Sequence, residues 1–83
     1  MYLYLVTDPD GGGYDEFDSF VIATRSPERA KLYNPNGKLY PCENWNESGA
    51  WAKTPDKIKV TFIGVAATTL SEGEVVITSF NAA

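Results

Sequence analysis

Only one stretch of this chain carries the signals of a helix, and it is eight residues long. Residues 26–33 read SPERAKLY. Ser26 is a good N-cap, Pro27 suits the first helical position, and Glu28 complements the positive end of the helix dipole. Ala30 and Tyr33, three apart, give a narrow apolar stripe with Leu32 at its edge. Asn34-Pro35-Asn36-Gly37 then stops the helix: the residue before a proline avoids the α region, and Asn-Gly is a strong turn signal. A helix this short cannot enclose a core alone, so the rest of the chain must supply a sheet for it to lie on.

Four segments have strand character. Tyr2–Thr7 (YLYLVT) is aromatic and β-branched, which suits a pleated surface. Leu3 and Leu5 fall on one face and Tyr2, Tyr4 and Val6 on the other, so both faces carry apolar bulk and a central or well-covered strand is expected. Residues 17–24 (FDSFVIAT) put Phe17, Ser19, Val21 and Ala23 on one side and Asp18, Phe20, Ile22 and Thr24 on the other. Residues 57–66 (KIKVTFIGVA) alternate most clearly, with Ile58, Val60 and Phe62 expected in the core and Lys57, Lys59 and Thr61 in water. Gly64 marks a bulge or a close backbone approach. Residues 75–80 (VVITSF) make the last strand. The glycine-rich loop 8–13 (DPDGGG) is placed to close a hairpin between the first two strands, since glycine permits positive φ. Residues 38–56 are the least regular part, a long loop that holds Trp45 and Trp51. The order strand-strand-helix-strand-strand predicts an α+β fold: a small antiparallel sheet of about four strands with one short helix packed on one face, in a single domain spanning 1–83.

The chain carries a formal net charge of −4 from seven basic and eleven acidic residues. Asp8, Asp10, Asp15, Glu16 and Asp18 all lie in the first 24 positions, where there is no Lys or Arg, so an acidic lobe is expected opposite a mildly basic middle. Nucleic-acid binding depends on phosphate neutralisation by Lys and Arg, so no direct nucleic-acid partner is expected. Cys42 is the single cysteine, so no intrachain disulfide forms, which fits a reducing cytoplasm. No apolar run approaches the ~18 residues of a membrane span.

Enzymatic motifs are missing. With no histidine in the chain, Ser-His-Asp and Cys-His nucleophile pairs and His-containing metal sites drop out. Asp8-Pro9-Asp10-Gly11-Gly12-Gly13 looks a little like the start of a calcium loop, but Gly12 stands where an acidic or amide ligand is required and Ser19 where the glutamate is. The same glycines make no phosphate cradle, because no lysine follows and the carboxylates would repel the anion. No enzyme, cofactor or metal site is expected. What remains is an acidic-aromatic feature made of Asp8, Asp10, Tyr14, Asp15, Glu16, Phe17 and Asp18, with Trp45 and Trp51 as further anchors if they point outward. Aromatic side chains are frequent binding hot spots, and a carboxylate cluster speeds encounter with Arg and Lys on a partner.

The chain resembles a group of small proteins of bacteriophages and prophages. These share a start like YLVT, a segment like YDxYDSFVV-A, a short helix rich in Glu, Arg and Ala, a Trp-containing loop, a strand like VxxIGxA and an end like SFNAG. The matching positions here are 2–7, 14–23, 26–31, Trp45 and Trp51, 60–66 and 79–82, with Phe17 in place of the usual tyrosine and Ala83 in place of the final glycine. The resemblance implies a phage accessory protein made in the cytoplasm of a bacterial host and carries over no catalytic residues. Together with the charge pattern it leads to the expectation of an inhibitor. Such a protein would occlude a basic surface of a host defence or nucleic-acid-processing complex, most concretely as an anti-CRISPR protein bound to a Cas effector. The alternative is a structural or assembly protein acting as a homodimer through an exposed sheet edge.

Overall fold

A computed structural model of the chain describes residues 1–81; Ala82 and Ala83, the end of the SFNA segment and the residue after it, lie outside the described residues. Strands β1 (Tyr2–Thr7) and β2 (Glu16–Thr24) precede helix α1 (Pro27–Leu32), and β3 (Lys59–Val65) and β4 (Glu74–Asn81) follow it. The strands form one antiparallel sheet in the order β3-β1-β2-β4, with the helix on one face, an α+β fold. Short 3-10 turns at Glu47–Gly49 and Pro55–Lys57 punctuate the long connection.

Helix α1 is held as its sequence requires. Ser26 Oγ accepts the Arg29 N–H at 3.2 Å, and the helix ends as Tyr33 turns extended. Its apolar stripe is one turn deep, so it stands by packing: Ala30 and Tyr33 are buried against Tyr4, Val6, Phe20 and Ile22 of the sheet. These four residues mark the covered face of β1 and β2.

The opposite face of the sheet carries Leu3, Leu5 and Val21, all only half-buried, and Ile77, which is exposed. Helix α1 lies on the other face; on this one Ala23, set beside Leu3 by the register, is fully buried, and the part around Leu5, Val21 and Ile77 is the open one. Strand β1 is therefore central, as its composition predicts, but has the helix on one face only.

Three bulges break the alternation that the sequence suggests. One lies between Phe17 and Ser19 in the β2–β4 ladder, and it turns Phe17 toward the core side, where its ring meets Phe80 edge-on at 4.8 Å. A second lies at Ile63, next to Gly64, opposite the Leu3/Tyr4 step, and a third at Val76. Gly64 has open space around it, so the bulge, and not a close approach, accounts for it. Phe62 departs from its expected core position. It pairs with Tyr4 on β3, an edge strand with a neighbour on one side only, and is 58% exposed in an edge-on cluster with Tyr2 and Tyr4.

The long connection closes the core. Asn34, fully buried, fixes it from both sides. Its Nδ2 donates to the Trp45 carbonyl at 3.0 Å and to Glu47 Oε1 at 2.8 Å, while its Oδ1 accepts the Asn36 and Lys38 N–H groups. Trp45 Nε1 donates at 2.9 Å to the Leu32 carbonyl, a helix-end acceptor that also takes the Tyr40 N–H at 2.8 Å. At Gly73 the backbone has φ of 82°, and a Cβ there would stand 2.7 Å from the Tyr33 hydroxyl, so both conformation and space call for glycine.

Candidate protein-binding site

The acidic loop between β1 and β2 is tied down along its length. The Asp8 N–H donates to the Asp18 carbonyl at 3.0 Å, and Asp8 Oδ1 accepts the Asp10 N–H at 3.0 Å, an Asx turn that starts the reversal. The Gly13 N–H donates to Glu16 Oε1 at 3.1 Å, and the Glu16 N–H returns to the Gly13 carbonyl at 3.2 Å. From the far strand, Asn81 Nδ2 donates to the Gly12 carbonyl at 2.7 Å, and the Asn81 carbonyl accepts the Asp15 N–H at 2.7 Å. Asp15 holds φ of 57°, a left-handed position that aspartate tolerates better than most side chains. Tyr14, between these anchors, is 80% exposed. A large ring projects into solvent from a backbone fixed on both sides.

A cleft of about 460 Å³ opens beside this loop. Asp8, Asp10 and Glu16 line it from the loop, and Lys53, Asp56 and Lys57 from the segment before β3, with Trp51 and Ala52 contributing apolar surface. Lys57 Nζ lies 3.7 Å from Asp10 Oδ2, an exposed ion pair between the two segments. The acidic lobe and part of the basic middle meet here. The fold brings two lysines of the long connection against the acidic loop, and four carboxylates share the cleft with two ammonium groups. Lys53 and Lys57 follow Trp51 closely in sequence, so the long-range packing that seats Trp51 brings these lysines to the cleft.

Of the nine residues expected at the site, Asp8, Asp10, Tyr14, Asp15, Glu16 and Asp18 lie on or beside this loop, with Tyr14, Asp10 and Asp15 the most exposed. Phe17 is half-buried and packs on the core. Trp45 and Trp51 are 3% and 4% exposed, and the Trp51 ring meets Phe20 edge-on at 5.3 Å. Both tryptophans are core residues, so neither offers a partner an exposed anchor; a domain this small needs their area inside. Tyr14 is left as the exposed aromatic of the site.

A second constellation, on the helix side of the sheet's other end, has no counterpart among the expected residues. Glu72 Oε2 accepts the Thr24 hydroxyl at 2.6 Å, the Tyr33 hydroxyl at 2.7 Å and Arg29 Nε at 3.4 Å, and Glu72 Oε1 accepts the Arg25 N–H at 3.1 Å. Burial works against the ionised carboxylate, but the hydrogen bonds from Thr24, Tyr33 and Arg29, with the Arg29 charge, together hold its pKa below the ordinary value. Burial, reinforced by the bond to Glu72, pushes the Tyr33 hydroxyl up. The carboxylate is fully engaged by its own chain, and it joins the β3–β4 turn to β2 and α1. Among the described residues, no group of three or more Cys, Asp or Glu side chains is placed to hold a metal ion, and no helix is long and apolar enough to cross a membrane.

Compared with protein-family models, with curated proteins and with solved structures, the chain matches none of them.

Proposed function

We propose that this protein is a binding protein that docks its acidic loop on a basic surface of a larger complex and blocks it. The observation that carries this reading is Tyr14. It is 80% exposed, sits on a backbone pinned from β2 and β4, and has Asp10 and Asp15 nearby in the same loop. A rigid, projecting aromatic loses little freedom on binding, and the carboxylates around it steer approach to Arg and Lys. Basic surfaces of this kind belong to machines that handle nucleic acid. The resemblance to phage proteins makes an inhibitor of a host defence or nucleic-acid-processing complex the concrete form, with an anti-CRISPR protein acting on a Cas effector as its sharpest case.

The experiment has two stages. A phage targeted by CRISPR is plated on cells that express the protein; restored plating is expected, and unchanged plating across the CRISPR types tried removes the anti-CRISPR form. The purified protein then serves to isolate its complex, and binding is repeated with Tyr14→Ala and with Asp10→Asn/Asp15→Asn. Asparagine keeps the left-handed backbone at position 15 accessible. Each variant is expected to weaken binding at least tenfold with an unchanged circular dichroism spectrum. Wild-type affinity in both variants would remove the acidic loop from the mechanism.

A further inference from the structure

The face of the sheet opposite the helix carries an aliphatic patch. Leu3, Leu5, Val21 and Ile77 run across it on β1, β2 and β4, and hydroxyl side chains at Ser19, Ser79 and Thr61 surround them. A shallow hollow of about 160 Å³ lies within it, lined by Leu5, Ser19, Val21 and Ser79. Ile77 stands at the rim of that hollow and is 64% exposed. One face thus carries an aliphatic knob beside an aliphatic hollow. In a two-fold contact residue i of one copy meets j of the other and j meets i, so a single knob–hollow pair is satisfied twice.

Charge points to the same occupant. Lys59 is paired with Thr7 at one corner of the face, and Glu74 with Ala23 at the diagonally opposite corner. A two-fold axis across that diagonal lays Lys59 of each copy over Glu74 of the other. It crosses the two sets of strands steeply, toward the orthogonal class of sheet packing. We propose that the protein forms a homodimer through this sheet face, with Ile77 of each copy seated in the other's hollow and two Lys59–Glu74 pairs at the rim. The face is small, about 15 by 20 Å from strand spacing and rise, which places the dimer at the weak end of specific association. The acidic loop and its cleft stay free, so the dimer presents two copies of Tyr14. The inference is independent of what that loop binds.

Sedimentation over a concentration series tests it. Wild type is expected to dimerise with a Kd in the range of roughly 1–100 μM, typical of small interfaces. Ile77→Lys is expected to be monomeric with an unchanged melt. Lys59→Glu is expected to weaken the dimer several-fold, and Lys59→Glu/Glu74→Lys to restore it. A wild type that stays monomeric well above that range overturns the proposal, as does a dimer that Ile77→Lys leaves intact. Should Ile77→Lys fail to fold, isotope-filtered NMR on a mixed labelled and unlabelled wild-type sample decides. Contacts between Ile77 methyls of one copy and Leu5 or Val21 of the other support the dimer, and intermolecular contacts confined to the β3 or β4 edge overturn it.

Discussion

Glu72 shows how one carboxylate can join three parts of a small fold. It collects hydroxyls from β2 and from the residue after α1, a guanidinium from α1 and a backbone N–H from the β2–α1 turn. Its pKa is lower folded than unfolded, so folding favours the ionised form. That contribution is complete above the unfolded value, about 4.3 for a glutamate, and fades as pH falls through the lower folded value. Glu72→Gln keeps the shape and removes the charge, and it is expected to cost about 1–2 kcal/mol at pH 7, the worth of charge-assisted hydrogen bonds. For a domain of this size that lowers Tm by roughly 4–15 °C. The gap between wild type and variant should close as pH drops below the carboxylate range, because wild-type Glu72 is then neutral too. Melts at pH 7 and at low pH check this; an equal gap at both would mean that the side chain acts through its shape alone.

At the scale of elements, the exposed edge strand β3 separates what alternation predicts from what tertiary cover decides. Ile58, Val60 and Phe62 share one face by period-two alternation, yet Ile58 is buried at 5%, Val60 is half-buried and Phe62 is 58% exposed. As an edge strand β3 has a neighbour on one side only, and the Phe62 ring is left largely in solvent. Phe62→Ala is therefore expected to cost only about 1 kcal/mol, the worth of a surface aromatic cluster, whereas Phe20→Ala on β2 should cost about 3–5 kcal/mol. Urea titrations of the two variants make the comparison, and equal losses would place Phe62 in the core after all. The same contrast explains what was legible in the sequence. The strands, the helix with its Ser26 cap and Pro27 start, and the β1–β2 hairpin all follow from short-range signals: alternation, capping and turn residues. The bulges at Asp18, Ile63 and Val76, the burial of both tryptophans and the return of Lys53 and Lys57 to the acidic loop do not. Each depends on which segment lies over which, and that is fixed by long-range packing. Asn34 is the sharpest case: as a turn residue it was evident, and its bonds from the Asn36 and Lys38 N–H groups belong to that turn, but its bonds to the Trp45 carbonyl and to Glu47 exist only once the long connection has folded back.

At the scale of the whole molecule, the long connection is part of the core. The accessible surface is 4892 Å², against about 4900 Å² expected for a compact monomer of this mass. The radius of gyration is 11.8 Å, close to the ~12 Å expected for a folded chain of this length. That compactness would be lost if residues 38–58 were a mobile flap, because Trp45, Trp51 and Ile58 form much of one wall of the core. Peeling the connection away would expose both indoles and the sheet face beneath them, and would leave Asn34 and the Leu32 carbonyl without their partners. No stable state with the sheet intact and the connection open is therefore expected. Unfolding should be two-state: the transition followed by tryptophan fluorescence, which reports the connection, should coincide with that followed by far-UV circular dichroism, which reports the sheet. A fluorescence midpoint at clearly lower urea would show that the connection opens first, as a separate unit laid over an independently stable sheet.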